Sequence, residues 1–486
     1  MTTPDDDPTR PSGRALLIVL IVAAAAFMEG LDGTIIVTAL PKMAQTFQTS
    51  AIALSIGLTA YMLTVAILTP TSGWMADRFG GRRVFASAIC VFIVASILCG
   101  LSQNLEQFAG ARVLQGMGGA LMTSVGRLIV FRSTPKSQLV RAVNWMTVPM
   151  LVGPALGPPI GGFLAEYVSW RAGFFINLPI GLVGLILVLA FIPAGAIERR
   201  RFDLTGFALN GVALAALIYG MQSLTARSSH DRWIGGALAV ISLPLIYLAW
   251  RHARYAKDPL IALTPLAIPT FRMTTLTGGN FMRLALGITT FFMPLMFQLG
   301  LGLSPLVSGL LLLTHIAGDL AAKSITTRAV KQIGFRKILL NSLLLYVIGL
   351  LTFVFFGPAT PIWLIAVLLF AAGAARSFQM TGLTALQFAD VPQSQMTAAS
   401  TLSAVTQQAL RALGIALAAL LLYGIAVAGG GTADHLSLND FRIAFGAIAL
   451  FALIGVTAYL QLPHDAGASV SGHTAARLQP VSDEEP

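Results

Sequence analysis

Charge is what this chain has least of: 10% of its 486 residues are Asp, Glu, Lys or Arg, against roughly a quarter in ordinary soluble domains. That shortage excludes a conventional water-facing surface. The only cysteines are Cys90 and Cys99, which within one helical run stand about 13 Å apart, too far for a disulfide. No G-x-x-x-x-G-K-[ST] phosphate loop, no H-E-x-x-H and no G-x-S-x-G occurs in the sequence, so ATP-driven transport, zinc-protease and hydrolase chemistries lack their signatures. No metal site and no cofactor is expected.

What is abundant is apolar sequence. Hydrophobic residues make up 56% of the chain and the mean hydropathy is +0.79. A membrane span takes about 20 such residues. Fourteen runs of that kind can be read, at 15–40, 51–74, 84–102, 106–131, 142–165, 172–194, 204–224, 233–250, 273–299, 304–325, 337–357, 361–386, 397–427 and 441–461. They leave no room for a soluble catalytic domain. The run at 15–40 is read as a retained span and not a secretion signal, because it is long and contains Glu29 and Asp32.

The net charge of +11 could suggest nucleic acid, but the basic residues form short clusters between apolar runs, the pattern of anchors beside a membrane. Nucleic acid is therefore not an expected partner. Counting alternate loops, one side holds seventeen Lys and Arg (among them Arg78, Arg82, Arg83, Arg132, Arg251, Arg254 and Lys337) and the other five (Lys42, Arg171, Arg227, Arg232 and Arg442). By the positive-inside rule the first side is cytoplasmic, and both termini lie there.

The two halves echo each other. Gly80-Gly81-Arg82-Arg83 after the second span is matched by Gly334-Phe335-Arg336-Lys337 after the tenth, and Arg112-x-x-Gln115 in the fourth by Arg376-x-x-Gln379 in the twelfth. Such repeats build transporters. They divide the chain into a tail at 1–14, a six-helix bundle at 15–194, two inserted helices at 195–250, a cytoplasmic linker at 251–272, a second six-helix bundle at 273–461 and a tail at 462–486. The tails are polar and read as disordered.

Three motifs carry a family resemblance. The loop after the second span reads Gly73-Trp74-Met75-Ala76-Asp77-Arg78-Phe79-Gly80-Gly81-Arg82-Arg83 and resembles the G-x-L-A-D-R-x-G-R-K signature of the major facilitator superfamily. The resemblance implies a conformational gate formed by Gly73, Asp77, Arg78, Gly80 and Arg82. The fifth span holds Gly153, Gly157, Pro158, Gly161 and Gly162 in the G-x-x-x-G-P-x-x-G-G pattern of that superfamily's proton-coupled antiporters. Small residues there let helices meet backbone to backbone. Leu31-Asp32-Gly33-Thr34 and Ala39-Leu40-Pro41 are similar to elements of the fourteen-span drug:proton antiporter family. Gly81 stands where a basic residue is usual, and Lys331 replaces the acid that would correspond to Asp77 in the second half.

The resemblance implies an all-α polytopic fold: two pseudo-symmetric six-helix bundles plus two inserted spans. It also implies proton-driven export of small amphipathic or drug-like molecules across the bacterial inner membrane, with no catalysis. Protons, a small amphipathic substrate and the lipid bilayer are the expected partners, and the chain is expected to act as a monomer. The same fold could carry a specific metabolite, an anion or a lipid; a non-transporting receptor is the reading from another class.

Charges embedded in hydrocarbon face a cavity or a partner by default. Glu29 and Asp32 share a face of the first span, and two carboxylates so close in a low dielectric resist ionising together; either can alternate between a proton and a substrate. Arg112 resembles the arginine of an R-x-x-Q-G element linked to proton coupling, so Glu29, Asp32 and Arg112 form the expected coupling set. Gln115, Arg283, His315, Asp319, Arg376, Gln379 and Arg411 are candidates for the substrate cavity. His315, Asp319 and Lys323 recur every four residues on one stripe, which serves as a relay, or else Asp319 and Lys323 neutralise each other. Within spans six basic residues, counting Arg127 and Lys323, face three acidic ones, a balance that admits an anionic cargo. Met28, Tyr61, Trp145, Phe291, Phe292, Met293, Met296 and other aromatics and methionines are candidates for an adaptable lining.

Overall fold

The computed structural model describes residues 13–134, 139–193, 201–226, 228–430, 436–463 and 466. Most of both tails, the 135–138 stretch and the 194–200 stretch lie outside it. Among the described residues all regular structure is helical, as a backbone without water requires. Fourteen helices are long and apolar enough to span a membrane: α1 Leu16–Thr46, α2 Ala51–Phe79, α3 Gly81–Leu101, α4 Leu105–Ser133, α5 Val148–Tyr167, α6 Ala172–Phe191, α7 Leu204–Ser223, α8 Ser229–Tyr255, α9 Pro269–Gly300, α10 Pro305–Lys323, α11 Gln332–Phe355, α12 Ile362–Ala389, α13 Met396–Ala428 and α14 Leu438–Leu460. Side-chain caps start several of them. Ser50, Asn104, Asp203 and Ser304 each accept a backbone N–H three residues on, satisfying donors that the first turn leaves unpaired.

Two helix ends differ from the hydropathy reading. The first helix runs six residues past Leu40, through Pro41, to Thr46. The second continues to Phe79 through a short 3-10 turn at Thr69–Thr71, so Gly73 to Arg78 lie on helix and not in a loop. The connection reduces to Gly80, at φ 87° and ψ 130°. A similar break occurs in the second half: the helical run Pro305–Thr352 is interrupted at Gly334, at φ 78° and ψ 162°. Both conformations belong to glycine. Apolar length measures the hydrocarbon layer, whereas helical hydrogen bonding continues until a residue forbids it.

The antiporter-type motif packs α5 on two neighbours. A Cβ on Gly153 would meet the Leu31 nitrogen at 3.2 Å, and one on Gly157 the Ile35 nitrogen at 3.0 Å, so α5 lies against the α1 backbone. Gly162 faces Pro305 and Leu306 of α10, and Gly309 of α10 faces Pro158 in return. Thr38 of α1 donates to the Pro158 carbonyl at 3.1 Å. A second seam joins α2 to α13, where Met62 and Leu63 pack with Ala412 and Ala416. Shifting span number by eight turns the α5–α10 seam into α13–α2 contact, so the two seams are exchanged by the repeat.

The extra pair α7 and α8 sits over the second seam. Ile218 of α7 joins the Ala412 and Ala416 cluster, and Thr59 of α2 donates to Gln222 at 3.2 Å. Gly220 and Gly235 bring α7 and α8 together at backbone distance. Asp203, which caps α7, also accepts from the Leu260 N–H at 2.9 Å and pairs with His252 of α8 at 2.8 Å. Partial burial pushes its carboxyl up, but the Leu260 and Gly206 N–H groups and His252 outweigh that and hold it below the usual carboxylate range. One side chain thus ties α7, α8 and the segment leading to α9 into a unit.

Replacing Gly80 or Gly334 by Ala should cost on the order of 1–3 kcal/mol through backbone strain, read as a lower unfolding temperature of the detergent-purified protein. Gly33, helical and with nothing within 4 Å of a Cβ, should accept Ala without loss; equal melting of all three variants would show that the two breaks carry no strain.

Candidate functional site

Asp32 lies at the middle of α1 with no exposure at all, and neither has Arg112 of α4. Their side chains meet at 2.7 Å. Arg112 and Gln115, three apart, share a face of α4 and act together: Gln115 donates to the second Asp32 oxygen at 2.8 Å and accepts from Arg112 at 2.6 Å. Asn177 of α6 donates to the same Asp32 oxygen at 2.7 Å. Ser96 of α3 receives both amides, from Gln115 at 2.9 Å and Asn177 at 3.2 Å. Arg112 further donates to the Gly57 carbonyl at 3.2 Å and stacks 4.3 Å over the Tyr61 ring. Three donors thus converge on one buried carboxylate. The network links α1, α2, α3, α4 and α6.

Glu29, one turn earlier on the same helix, has different surroundings. It is partly exposed, accepts from the Tyr61 hydroxyl at 3.3 Å and receives a short hydrogen bond from Thr123. Arg127 and Arg411 lie within electrostatic range. The two acids that sequence places on one face therefore separate by environment, Asp32 sealed and Glu29 accessible.

In the second half Asp319 of α10 pairs with Arg376 of α12 at 3.0 Å, their side chains 27% and 33% exposed. This corrects the internal Asp319–Lys323 neutralisation: Lys323 is exposed, and the neighbouring helix offers a guanidinium. His315 is buried, its Nδ1 bonded to the Leu369 carbonyl at 3.1 Å. Arg411 is exposed although it lies mid-helix on α13, in range of Glu29 and Arg376. Arg411 and the Asp319–Arg376 pair of the second half thus lie in electrostatic reach of one another.

Two cavity candidates lie elsewhere. Gln379 is fully buried, donating to the Tyr459 hydroxyl at 2.7 Å and accepting from Ser342 at 2.6 Å. Arg283, 6% exposed, donates to the Thr274 carbonyl at 2.7 Å and to Gln387 at 3.0 Å. It closes the break in α9 at Thr277, whose φ and ψ are −117° and −102°. Phe291, Phe292, Met293 and Met296 are core residues of the second half, not lining. Tyr61 alone among the named aromatics touches both acids' networks.

At the basic end Asp77 is 6% exposed and pairs with Arg132 of α4 at 2.6 Å, while Arg82 donates to the Leu189 carbonyl of α6. Arg78 is exposed, and Gly73 has nothing within 4 Å of a Cβ, so close approach is not its use. At the opposite end the halves touch. Gln298 of α9 donates to the Thr38 carbonyl at 2.9 Å, and Glu166 of α5 accepts from the Leu306 N–H at 3.0 Å, at the start of α10. Asn177, Ser96, Thr123 and Glu166 were not singled out from sequence, although an asparagine inside the apolar run 172–194 is a signal of its own.

The family profile of the Major Facilitator Superfamily matches residues 22–279. The chain is 35% identical over 446 residues to a Klebsiella pneumoniae (strain 342) protein named "Putative multidrug resistance protein MdtD", covering 91% of this chain and 92% of that one. It is 35% identical over 444 residues to the protein of the same name from Pectobacterium carotovorum subsp. carotovorum (strain PC1), covering 89% and 94%. Among solved structures, a D-xylose-proton symporter superposes with TM-score 0.63 at 15% identity, covering 93% of this chain and 98% of that one. An inward-facing bacterial homolog of the human lysosomal transporter Spinster also gives 0.63 at 15%, covering 96% and 100%.

Removing one partner of a dry ion pair leaves a buried charge uncompensated, at about 3–5 kcal/mol. Asp32→Asn and Arg112→Gln should each lower the unfolding temperature strongly, and the double variant should fall by less than the sum. Additive losses in that cycle would mean that the two side chains do not act as a pair.

Proposed function

The chain belongs to the major facilitator superfamily and is a multi-pass membrane transporter, not an enzyme; on that premise we propose that it is a proton-coupled antiporter exporting small amphipathic molecules across the bacterial inner membrane. The observation that carries the proposal is the division of labour on α1: Asp32 is locked to Arg112 while Glu29, one turn away, stands partly exposed under two hydroxyl donors. Glu29 is the proton carrier in this reading. Asp32 and Arg112 fix the helix on which it rides and communicate its charge to α4.

The multidrug names of the relatives support an amphipathic cargo, and the glycine-proline motif of α5 supports exchange over symport. The seventeen basic residues on one side support a cytoplasmic position for that side and for both termini. The α1–α6 and α9–α14 bundles rock about the cleft on the α5–α10 and α2–α13 seams. A proton crossing one pH unit yields about 1.4 kcal/mol and 100 mV about 2.3 kcal/mol. Together they sustain a substrate gradient on the order of several hundredfold per proton.

The test uses the full chain reconstituted in proteoliposomes with a fluorescent amphipathic dye. Glu29→Gln should abolish dye movement driven by an imposed pH gradient, while dye counterflow at zero gradient remains measurable and no longer varies with pH. Gradient-driven movement that survives in this variant would remove Glu29 as the carrier and, with it, the coupling proposed here.

A further inference from the structure

The two acids of α1 differ in the kind of hydrogen-bonding group that surrounds them. Around Asp32 the donors are the Arg112 guanidinium and the amide N–H groups of Gln115 and Asn177, atoms that give hydrogen bonds and cannot accept them. Around Glu29 they are hydroxyls, from Tyr61 at 3.3 Å on Oε1 and from Thr123 on Oε2. A hydroxyl does both. Protonating a carboxylate turns one of its oxygens from acceptor into donor, so a partner of the second kind suits both states.

Thr123 also has an outlet for its own hydrogen. Its Oγ1 stands 2.9 Å from the Gly119 carbonyl, one turn back on α4, in the same rotamer that reaches Glu29. One hydroxyl hydrogen thus has two acceptors, and choosing between them takes a rotation about the C–O bond with no heavy atom displaced. A bond to the carbonyl four residues back is an ordinary resting place for a helical threonine. Tyr61 lacks that freedom. Among the described residues its hydroxyl has Glu29 as its acceptor and no second one, and what faces it from α4 is the Gly119 α-carbon, where a Cβ would stand 2.7 Å away.

Fixed charges surround the site but do not enter these bonds. Arg127 on α4 and Arg411 on α13 lie in electrostatic range of Glu29, Asp32 follows one turn on along α1, and Arg112 lies against the Tyr61 ring. From α5 the adjoining Gly30 meets Pro154. Resting on the antiport reading above, with Glu29 as carrier, we infer that the proton is taken on the Glu29 oxygen facing Thr123 and that Thr123 registers it by reversing its hydrogen bond. With Glu29 ionised, Thr123 donates to Oε2. Both side chains are partly exposed, so hydronium can deliver a proton, forming the Oε2–H bond and leaving water behind. That O–H donates to Thr123 Oγ1, and the threonine hydrogen swings to the Gly119 carbonyl. A charge-assisted bond between α1 and α4 becomes a neutral one, about half as strong. Loading the proton thereby slackens α1 against α4 at Glu29, while the Asp32–Arg112 tie stays.

The test follows the carboxyl itself and needs no cargo. Infrared spectra of the full chain in detergent, titrated from about pH 9 to about pH 4 across the carboxylic range, should show a protonated-carboxyl band that Glu29→Gln removes. Its pH midpoint reads the proton affinity, and its frequency reads the hydrogen bonds of the acid form. Thr123→Val keeps the shape and loses the hydroxyl. The ionised form then loses the stronger of the two bonds, so the midpoint should rise by about half a pH unit or more. The band should shift as well, because the acid O–H loses its acceptor. Thr123→Ser, which keeps a hydroxyl, should hold the band and keep the midpoint within about 0.3 unit of wild type. The surrounding charges are the same in every variant, so the differences read the hydrogen bond alone. In proteoliposomes the pH of half-maximal gradient-driven dye movement should follow the same order.

A Thr123→Val midpoint that stays with wild type denies the donor role and an unmoved band denies the acceptor role; either overturns the inference. So does a serine variant that behaves as the valine variant does. If Glu29→Gln removes both the band and gradient-driven movement while Thr123→Val changes neither midpoint nor band, the inference alone fails. If Glu29→Gln removes no band, or leaves that movement intact, it is the antiport reading with Glu29 as carrier that fails.

Discussion

A carboxylate and a guanidinium buried together demand partners for their lone pairs and protons, and the Asp32–Arg112 pair passes that demand to five helices, with the Arg112 Nη2 and the Asn177 Oδ1 left without a partner among the described residues. Its oxygens need Gln115 and Asn177; those amides need Ser96; the guanidinium needs the Gly57 carbonyl and the Tyr61 ring. Small residues follow from the same demand. A Cβ on Gly116 would stand 2.7 Å from the Tyr61 carbonyl, so α2 and α4 approach closely enough for the pair's neighbours to converge. The helix carrying Asp32 is then clamped from its other side by the α5 glycines. Glu29 inherits a rigid mount from contacts it does not itself make.

The spans were legible because a hydrocarbon layer selects for apolar length more strictly than a protein core does. Their ends were less so: Pro41 and the Gly73–Phe79 stretch look like exits from the membrane, yet neither residue type there stops the hydrogen-bond ladder, and Gly80 does. The acids were conspicuous as charges in apolar runs. Their partners Ser96, Thr123 and Asn177 were not, since hydroxyls and amides are common within such helices. Grouping Arg283 and Gln379 with the cleft failed for a related reason. An embedded polar residue announces that it has a partner but not whether the partner is cargo, and for these two it is the break in α9 and the Tyr459 hydroxyl.

The repeated R-x-x-Q element shows how one sequence pattern serves two ends. In α4 both residues converge on Asp32 from α1 and are sealed. In α12 they diverge: Gln379 turns into the packing between α11 and α14, and Arg376 meets an acid from α10, a helix that the repeat equates with α2 and not with α1. That pair stays a quarter to a third exposed. A dry pair resists exchange, because separating its charges has no solvent to assist it, whereas a wet pair of the same groups separates at modest cost. The first half is therefore built to hold one arrangement around its acid. The second half offers ionic groups that water or cargo can reach.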